Sequence, residues 1–374
     1  MTGPKQQLYD LFQSGVDAVR GFNAVKNALV SYNKPTPNII IAVGKAAGDM
    51  ALGARAHFQK SIETIVVTKY GHVSDELAAL SSCEIFESAH PIPDSNSLIA
   101  GARLLDLVSS QPQDARLLLL VSGGGSSLVE ALQPGISLDQ LVALNKGFMA
   151  DGLTIGAINT ERKKISRIKA GGLLAAFSGA QAHVIAISDV EGDSIDVIAS
   201  GIGAYHGSGK NVEIIIAASN HVARQAIAQN AGSMPVICNE ETLYGDTALV
   251  ADHIRKIVNH GPAGLYIFGG EPTVKLPTNP GRGGRNQHLA LLLADKIKGQ
   301  NSITILVAGT DGSDGPTKDA GAIIDGQTVA PEADVSNFLR SADAGTFLAT
   351  RNALLTTGPT GTNVMDIVLA LKTE

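Results

Sequence analysis

Three glycines and three serines follow an apolar run in VSGGGSSL, residues 121–128. Glycine lets a backbone approach a ligand closely, and the first turn of a following helix offers N–H groups to an anion. The serine hydroxyls would add donors, so the turn is predicted to bind phosphate. An ordinary strand-to-helix turn with a serine cap is the alternative. The predicted phosphate contacts here are Ser122, Gly123, Gly124, Gly125, Ser126 and Ser127.

A lysine follows a second apolar run in AVGKAAGDM, where Gly44 and Lys45 come just before a predicted helix. The helix dipole disfavours a cation at that point, and a bound phosphate would reverse this cost. Lys45 is therefore predicted to neutralise charge on a transferred phosphoryl group, with the Gly44 backbone close to the same phosphate. A solvated lysine remains the alternative, since dipole effects on exposed charges are only ~0.3–1 kcal/mol.

Two arginines flank a glycine pair in PGRGGRNQHL, residues 280–289. Arginine binds phosphate oxygens in a two-pronged geometry that lysine cannot supply. Arg282, Arg285 and Asn286 are therefore predicted to contact phosphate, together with Glu271 at the end of the preceding apolar run. A mobile loop with solvated arginines is the alternative.

Two acidic turns, ISDVEGD and GTDGSDG, supply four candidate metal ligands. These are Asp189, Asp193, Asp311 and Asp314. Phosphate-transfer sites typically hold Mg²⁺ through one or two carboxylates plus the substrate phosphates. Aspartates in glycine turns are as often purely structural, through bonds to the nearby backbone. Both interpretations stay open for each aspartate.

The elements that must position these residues alternate between apolar runs and helical stretches. The runs do not alternate with polar residues, which indicates an α/β fold with strands buried on both faces, as in a parallel sheet. The clear strands, each together with the polar turn that follows it, are predicted within 38–45, 116–127, 183–193, 213–220, 264–271 and 303–315, and weaker strands at 64–68 and 83–88. Helices are predicted at 6–32, 46–60, 95–110, 137–150, 160–178, 220–231, 245–260, 286–299 and 344–356. Every candidate turn then lies at the carboxyl ends of strands, where such sheets bind ligands.

A chain of 374 residues exceeds what one core usually supports, so two domains are predicted. Pro- and Gly-rich segments place the boundary near residue 235, which gives domains 1–235 and 236–374.

The net charge of −6 argues against a nucleic-acid partner, which needs a basic surface. No signal pattern begins the sequence and no apolar run approaches ~18 residues, so a cytoplasmic protein without a membrane partner is expected. Cys83 and Cys238 are expected to be buried reduced thiols.

The common nucleotide motifs are missing from the sequence. The P-loop pattern fails at AYHGSGKN, and GxGxxG fails because Leu128 stands where its third glycine would be. Neither an HExxH helix nor a GxSxG elbow occurs. The sequence therefore gives no motif evidence for a P-loop kinase or for a nicotinamide-dependent reductase.

Two further segments are interpreted as structural. In ERKKISRIKAGG, residues 161–172, helical spacing predicts a solvated basic face that includes Lys163, Lys164 and Lys169. Recruitment of an acidic substrate is the rival interpretation. In HPIPDSNS, Asp94 is predicted to cap a helix, and His90 to belong to a structured loop.

The ordered set of motifs resembles the glycerate 2-kinase family, whose C-terminal part is the MOFRL domain. The matching segments are VGKAAG, HPIPD, SGGGSSL, RKKISRIKAGGL, ISDVEGD, GGEPTV, GRGGRNQ, AGTDGSDGPTKDAGA and TGPTGTNVMD. The resemblance runs from about residue 10 to 367. The resemblance implies a Rossmann-like parallel-sheet domain, a second smaller α/β domain, and an active site in the cleft between them.

The resemblance also implies an activity: ATP-dependent phosphorylation of D-glycerate at its 2-hydroxyl with Mg²⁺ or another divalent cation. It implies that Lys45 and Arg285 are the catalytic pair; Asp189 is our candidate to orient the hydroxyl. The sequence departs from the family pattern at three positions. His288 follows GRNQ where Glu is usual, Lys164 stands where His is common, and Ile202 follows IASG where Pro is common.

Two other functions remain as alternatives. One is a hydroxypyruvate or tartronate-semialdehyde reductase, which would need a dinucleotide motif that the sequence lacks. The other is a non-catalytic module that binds a phosphosugar. The oligomeric state is left open between monomer and homodimer.

Overall fold

The computed structural model describes residues 3–150, 160–162 and 164–374, so Lys163 and 151–159 lie outside the described residues. The backbone forms two compact units. The parallel-sheet unit comprises Val19–Ser219 and Gly361–Asn363, and the mixed-sheet unit comprises Met1–Ala18, Asn220–Thr360 and Val364–Glu374. The domain boundary near residue 235 stays a prediction.

The parallel-sheet unit contains six strands that all run in the same direction. They are β1 (Ile39–Val43), β2 (Glu63–Lys69), β3 (Cys83–Ser88), β4 (Arg116–Val121), β5 (Gln181–Ile187) and β6 (Asn211–Ala218). Their order is β3-β2-β1-β4-β5-β6, and every neighbouring pair is parallel. This is the Rossmann order, in which the strand order reverses between β1 and β4. The predicted parallel sheet is confirmed in this unit.

The mixed-sheet unit contains a second six-stranded sheet and a short strand pair. Its strands are β7 (Val236–Glu241), β8 (Gly245–Asp246), β9 (Gly264–Gly270), β10 (Pro272–Thr273), β11 (Ile303–Gly309), β12 (Gly321–Asp325), β13 (Leu354–Leu355) and β14 (Asp366–Lys372). The order of the larger sheet is β13-β12-β11-β14-β9-β7. Strand β14 lies between β9 and β11 and is antiparallel to both. A purely parallel pattern is therefore wrong for this unit, because a buried apolar run carries no information on strand direction.

Residues 160–162, 164 and 165 are helical, and thirteen further α-helices have described bounds. They are α1 (Pro4–Val19), α2 (Gly21–Leu29), α3 (Ala47–Phe58), α4 (Asp75–Ala78), α5 (Ser95–Ser109), α6 (Gly125–Leu128), α7 (Leu138–Ala150), α8 (Gly172–Ala176), α9 (Asn220–Gln229), α10 (Thr247–His260), α11 (Arg285–Lys296), α12 (Ser336–Arg340) and α13 (Ala344–Thr350). None of them is long and apolar enough to cross a membrane.

Three of the predicted helices differ from the structure. The segment 6–32 is two helices, because Arg20 between them is extended. The segment 344–356 ends early, since Leu354 and Leu355 pair with β12. In the segment 160–178, Ser166 pairs with Leu132 in a β-bridge and a helix resumes only at Gly172.

Each unit has its own apolar core. In the parallel-sheet unit, β1 and β4 are almost wholly buried and pack with residues of α5 and α8, including Leu104 and Leu174. In the mixed-sheet unit, β9, β11 and β14 pack with residues of α10 and α11, including Ile254 and Leu291. These cores fix the strand ends, and the turns that follow the strands carry the candidate site residues. Cys83 and Cys238 are free and half-buried rather than fully buried.

Candidate active site

The predicted glycine turn and the predicted lysine lie side by side in the parallel-sheet unit. Gly44 follows β1 and Ser122 follows β4, at the point where the strand order reverses. The Ala46 N–H donates to the Ser122 hydroxyl (3.1 Å), and the Lys45 N–H donates to the Gly123 carbonyl (2.9 Å). Gly44 has φ +125°, and a Cβ atom there would overlap Ser122. Only glycine fits this contact between the two turns.

A carboxylate covers the first glycine of the SGGG turn. The Asp189 side chain, just after β5, is so close to Gly123 that a Cβ atom there would overlap its carboxylate. The Asn363 amide donates to the same carboxylate (3.5 Å). The turn therefore brings a backbone that can approach an anion together with a potential proton acceptor.

The second glycine of the turn is covered by Lys45 and by His90. At Gly124, a Cβ atom would lie 3.1 Å from the Lys45 Cγ and 3.2 Å from the His90 ring. Burial and the nearby Lys45 charge lower the pKa of His90 to about 4, so the imidazole is neutral at pH 7. His90 therefore belongs to the site, although the sequence indicated only a structured loop. The predicted Asp94 cap is confirmed, because its carboxylate accepts the Ser97 N–H at the start of α5 (3.1 Å).

The end of the glycine turn is held by hydrogen bonds of its two serines. Helix α6 is a single turn, and the Ser127 hydroxyl donates back to the Gly124 carbonyl (3.3 Å). The Ser126 hydroxyl lies 2.8 Å from that of Ser200. The contacts of these two serines favour a structural role over phosphate binding.

The mixed-sheet unit holds its arginine with two carboxylates. The Arg285 guanidinium, at the first residue of α11, donates to both oxygens of Asp366 (2.6 and 3.2 Å) and pairs with Glu271 (2.6 Å). Asp366 is 0% exposed and also accepts the Asn286 amide (2.9 Å). Burial opposes the Arg285 charge, but the Asp366 carboxylate outweighs it and raises the arginine pKa. The guanidinium is thus fixed in direction as well as charged.

A third carboxylate caps the helix that carries this arginine. The two Asp314 oxygens accept the N–H groups of Asn286 (3.0 Å) and Gln287 (2.8 Å), while the helix N-cap residue, Gly284, has no side chain to do so. Asp314 is 2% exposed, and burial raises its pKa to about 7 despite these two bonds. Its contacts are those of a helix cap.

Two other predicted residues of this unit have structural partners. The Arg282 guanidinium donates to Asp319 (2.9 Å), and Asp319 also accepts the Thr356 hydroxyl (2.6 Å). Asp311 accepts the Ser313 N–H (2.9 Å) in a tight turn. Within the described residues, no cluster of three or more His, Cys, Asp or Glu side chains could hold a metal.

Sequence reasoning missed Asp366 and His90 as site residues. Both lie in motifs already quoted, TNVMD and HPIPD, so a signal existed. Asp366 begins β14, whose antiparallel course brings its first residue beside Gly270 and Gly309 at the ends of β9 and β11. A search restricted to the carboxyl ends of strands cannot find it.

Comparison with known proteins places the chain in a family. The model of a domain of unknown function, DUF4147, matches residues 7–230, and that of the MOFRL family matches residues 264–366. A D-glycerate 2-kinase from Thermotoga maritima is 34% identical, with 98% of each chain covered. The chain belongs to the glycerate 2-kinase family. The resemblance seen in the motifs is confirmed.

Other members bear on fold and activity. The crystal structure of a glycerate kinase from Thermotoga maritima matches with a TM-score of 0.88 and 32% identity over 99% of both chains, which confirms the fold class. A relative from Agrobacterium vitis, provisionally named a hydroxypyruvate reductase, is 32% identical and covers 88% of this chain and 97% of its own. The glycerate 2-kinase family thus includes proteins named for two activities.

Proposed function

We propose that this chain is a D-glycerate 2-kinase that transfers the γ-phosphoryl group of ATP to the 2-hydroxyl of D-glycerate. The products are 2-phospho-D-glycerate and ADP. The observation that carries the proposal is the glycine turn where the strand order reverses, with Lys45 and Asp189 against its glycines. Family membership supplies the substrate class.

The two cations, Lys45 and Arg285, are proposed to act on the transferred group. Phosphoryl transfer leaves the protein little covalent work, so catalysis consists of positioning and of neutralising charge on the equatorial oxygens. The Arg285 guanidinium already has a fixed direction through Asp366. The catalytic assignment of both residues remains a proposal.

Asp189 is proposed to orient the attacking hydroxyl. The 2-hydroxyl oxygen of glycerate forms the new bond to the γ-phosphorus, the bond from that phosphorus to the ADP oxygen breaks, and the hydroxyl proton passes to the Asp189 carboxylate. Its place against Gly123 supports this role, because the carboxylate then lies beside the proposed phosphate-binding turn.

The proposed divalent cation fits the carboxylates of the parallel-sheet unit better than those of the mixed-sheet unit. Asp189 would hold Mg²⁺ together with the ATP phosphates, and Asp193, in the next turn, is the second candidate. Asp311 and Asp314 already accept backbone N–H groups, which makes them the poorer ligands. When bound, Mg²⁺ would neutralise charge on the phosphates.

A coupled assay tests the proposed reaction directly. The protein receives ATP, Mg²⁺ and D-glycerate, and the product is passed to enolase without phosphoglycerate mutase. We expect a signal from enolase alone, because 2-phosphoglycerate is its substrate. A signal that needs added mutase would mean 3-phosphoglycerate and would overturn the position of transfer.

Two control measurements address the alternative functions. A reductase would oxidise NADH or NADPH with hydroxypyruvate, and we expect none. A binding module would gain thermal stability with ligand but form no ADP. Cytoplasmic location, the lack of membrane and nucleic-acid partners, and the choice between monomer and homodimer stay predictions.

A further inference from the structure

One residue of the basic segment 161–172 departs from the predicted solvated face. Lys169 is only 2% exposed, and its ammonium donates to the carbonyls of Gly125 (2.7 Å) and Val129 (2.8 Å). Gly125 begins α6, and Val129 follows its last residue. The lysine therefore joins the two ends of the single helical turn that completes the SGGG turn.

The burial of this ammonium is compensated by a second buried group. Glu130 is 1% exposed, and its attraction opposes the burial that lowers the Lys169 pKa to about 8. The Glu130 carboxylate accepts the Ser166 hydroxyl and the Ala131 N–H (2.9 Å). Ser166 in turn accepts the Lys169 N–H (3.1 Å). A buried charge is costly unless hydrogen bonds and an opposite charge compensate it, and here two carbonyls accept from the ammonium while Glu130 attracts it.

The other side of α6 is held by a strained turn. Ala199 and Ser200 have φ values of +48° and +58°, which are unusual for residues with a side chain. A Cβ atom at Gly125 would lie 2.8 Å from that of Ala199, and Ser200 lies against Ser126 through its hydroxyl. The Ala170 N–H, next to Lys169, donates to the Ser200 carbonyl (3.0 Å). Residues 169 and 170 therefore connect the two groups that hold α6, which are the Lys169 ammonium and the turn at Ala199 and Ser200.

We propose that Lys169 is a positioning residue that fixes the SGGG turn in the conformation that binds the phosphates of ATP. The carbonyls at the end of a helix have no partner within the helix, and a one-turn helix has too few internal bonds to hold its own shape. The Lys169 ammonium supplies a donor to a carbonyl at each end of α6 and so holds the turn in shape. The proposal rests on the proposed function, since it assumes that the turn binds ATP.

The test compares Lys169→Met with Lys164→Met, an exposed lysine of the same segment that pairs with Glu161. Isothermal titration measures the Kd for ATP with Mg²⁺, and the enolase-coupled assay measures both KM values. Lys169→Met should raise the Kd and the KM for ATP by about tenfold or more, because a buried charged hydrogen-bond donor is lost. The KM for D-glycerate should change less than about twofold. Lys164→Met should change none of them.

Two further results would decide against the proposal. Equal changes in both KM values, or unchanged ATP binding by a folded Lys169→Met protein, would overturn it. If that variant does not fold, Ser166→Ala replaces it as a milder change, and ATP binding identical to that of the wild type would overturn the proposal. Absence of product with wild-type protein that still binds ATP would instead reject the proposed function.

Discussion

The glycine turn of the parallel-sheet unit and the arginine cluster of the mixed-sheet unit are held in place in opposite ways. At the turn, side chains are absent at Gly44 and Gly123, so backbone and neighbouring groups come close. Around Arg285, the buried carboxylate of Asp366 and the partly exposed one of Glu271 hold a long side chain in place. The first site is fixed by shape and the second by charge. Changes in side-chain volume should therefore damage one, and changes in ionisation the other.

The largest expected effect is common to both sites. Lys45→Ala and Arg285→Ala should each lower kcat by about 10²–10³-fold, the usual loss when one donor to a transition-state charge is removed. The KM for D-glycerate should change much less. The enolase-coupled assay measures both constants, with the exposed Lys26→Ala and Arg340→Ala as controls. An unchanged kcat would remove that residue from the mechanism.

The next effect concerns charge around Arg285. Asp366→Asn keeps the shape but replaces a carboxylate that accepts from Arg285 and Asn286. The lost charged hydrogen bonds should lower kcat by about 10–100-fold and lower the free energy of unfolding. Steady-state kinetics and urea unfolding measure these changes. Wild-type kcat in this variant would show that Arg285 does not need its anchor.

A smaller effect concerns shape at the glycine turn. Gly123→Ala adds a methyl group that must displace the Asp189 carboxylate, so kcat/KM for ATP should fall by about tenfold. The matched control is Gly147→Ala in α7, where a Cβ atom would meet open space and the free energy of unfolding should rise by about 0.5–1 kcal/mol. Equal activity of the two variants would contradict a site fixed by shape.

The prediction with the smallest expected effect on kcat is a pH dependence of stability from Asp314. Its pKa is raised to about 7 in the folded chain and is ~3.9 in an unfolded one. The folded state binds the proton more tightly, so the contribution of Asp314 to the free energy of unfolding is greatest below ~pH 4 and falls as the pH rises towards 7, by up to ~1.4 kcal/mol per pH unit. Asp314→Asn should flatten this part of the profile, and urea unfolding at several pH values measures it. Parallel profiles for the two proteins would show that Asp314 does not titrate there.

The sequence was sufficient to predict the positions of residues that lie next to the end of a strand. Lys45 and the SGGG turn could be predicted because each immediately follows an apolar run, and the rule for parallel sheets then brings them together. Helix caps such as Asp94 are equally local, since the carboxylate and the N–H that it accepts lie three residues apart.

The sequence was insufficient to predict a side-chain contact that depends on the direction of a strand or on burial. Asp366 is at the amino end of β14 and reaches Arg285 only because that strand is antiparallel to β9 and β11. Lys169 looked solvated because helical periodicity was assumed across Ser166, which instead pairs with Leu132 in a β-bridge. Neither fact can be read from a hydrophobic pattern in one chain.

The central place of β14 has a consequence for how the protein is made. Strands β9 and β11 do not pair with each other, and β14, which comes after both in the chain, fills the space between them. During synthesis on the ribosome, the sheet must therefore wait for its central strand before it can close. Since Asp366 arrives with that strand, a nascent chain stopped before it would lack the buried carboxylate that fixes Arg285. The arginine cluster would be among the last parts of the molecule to form.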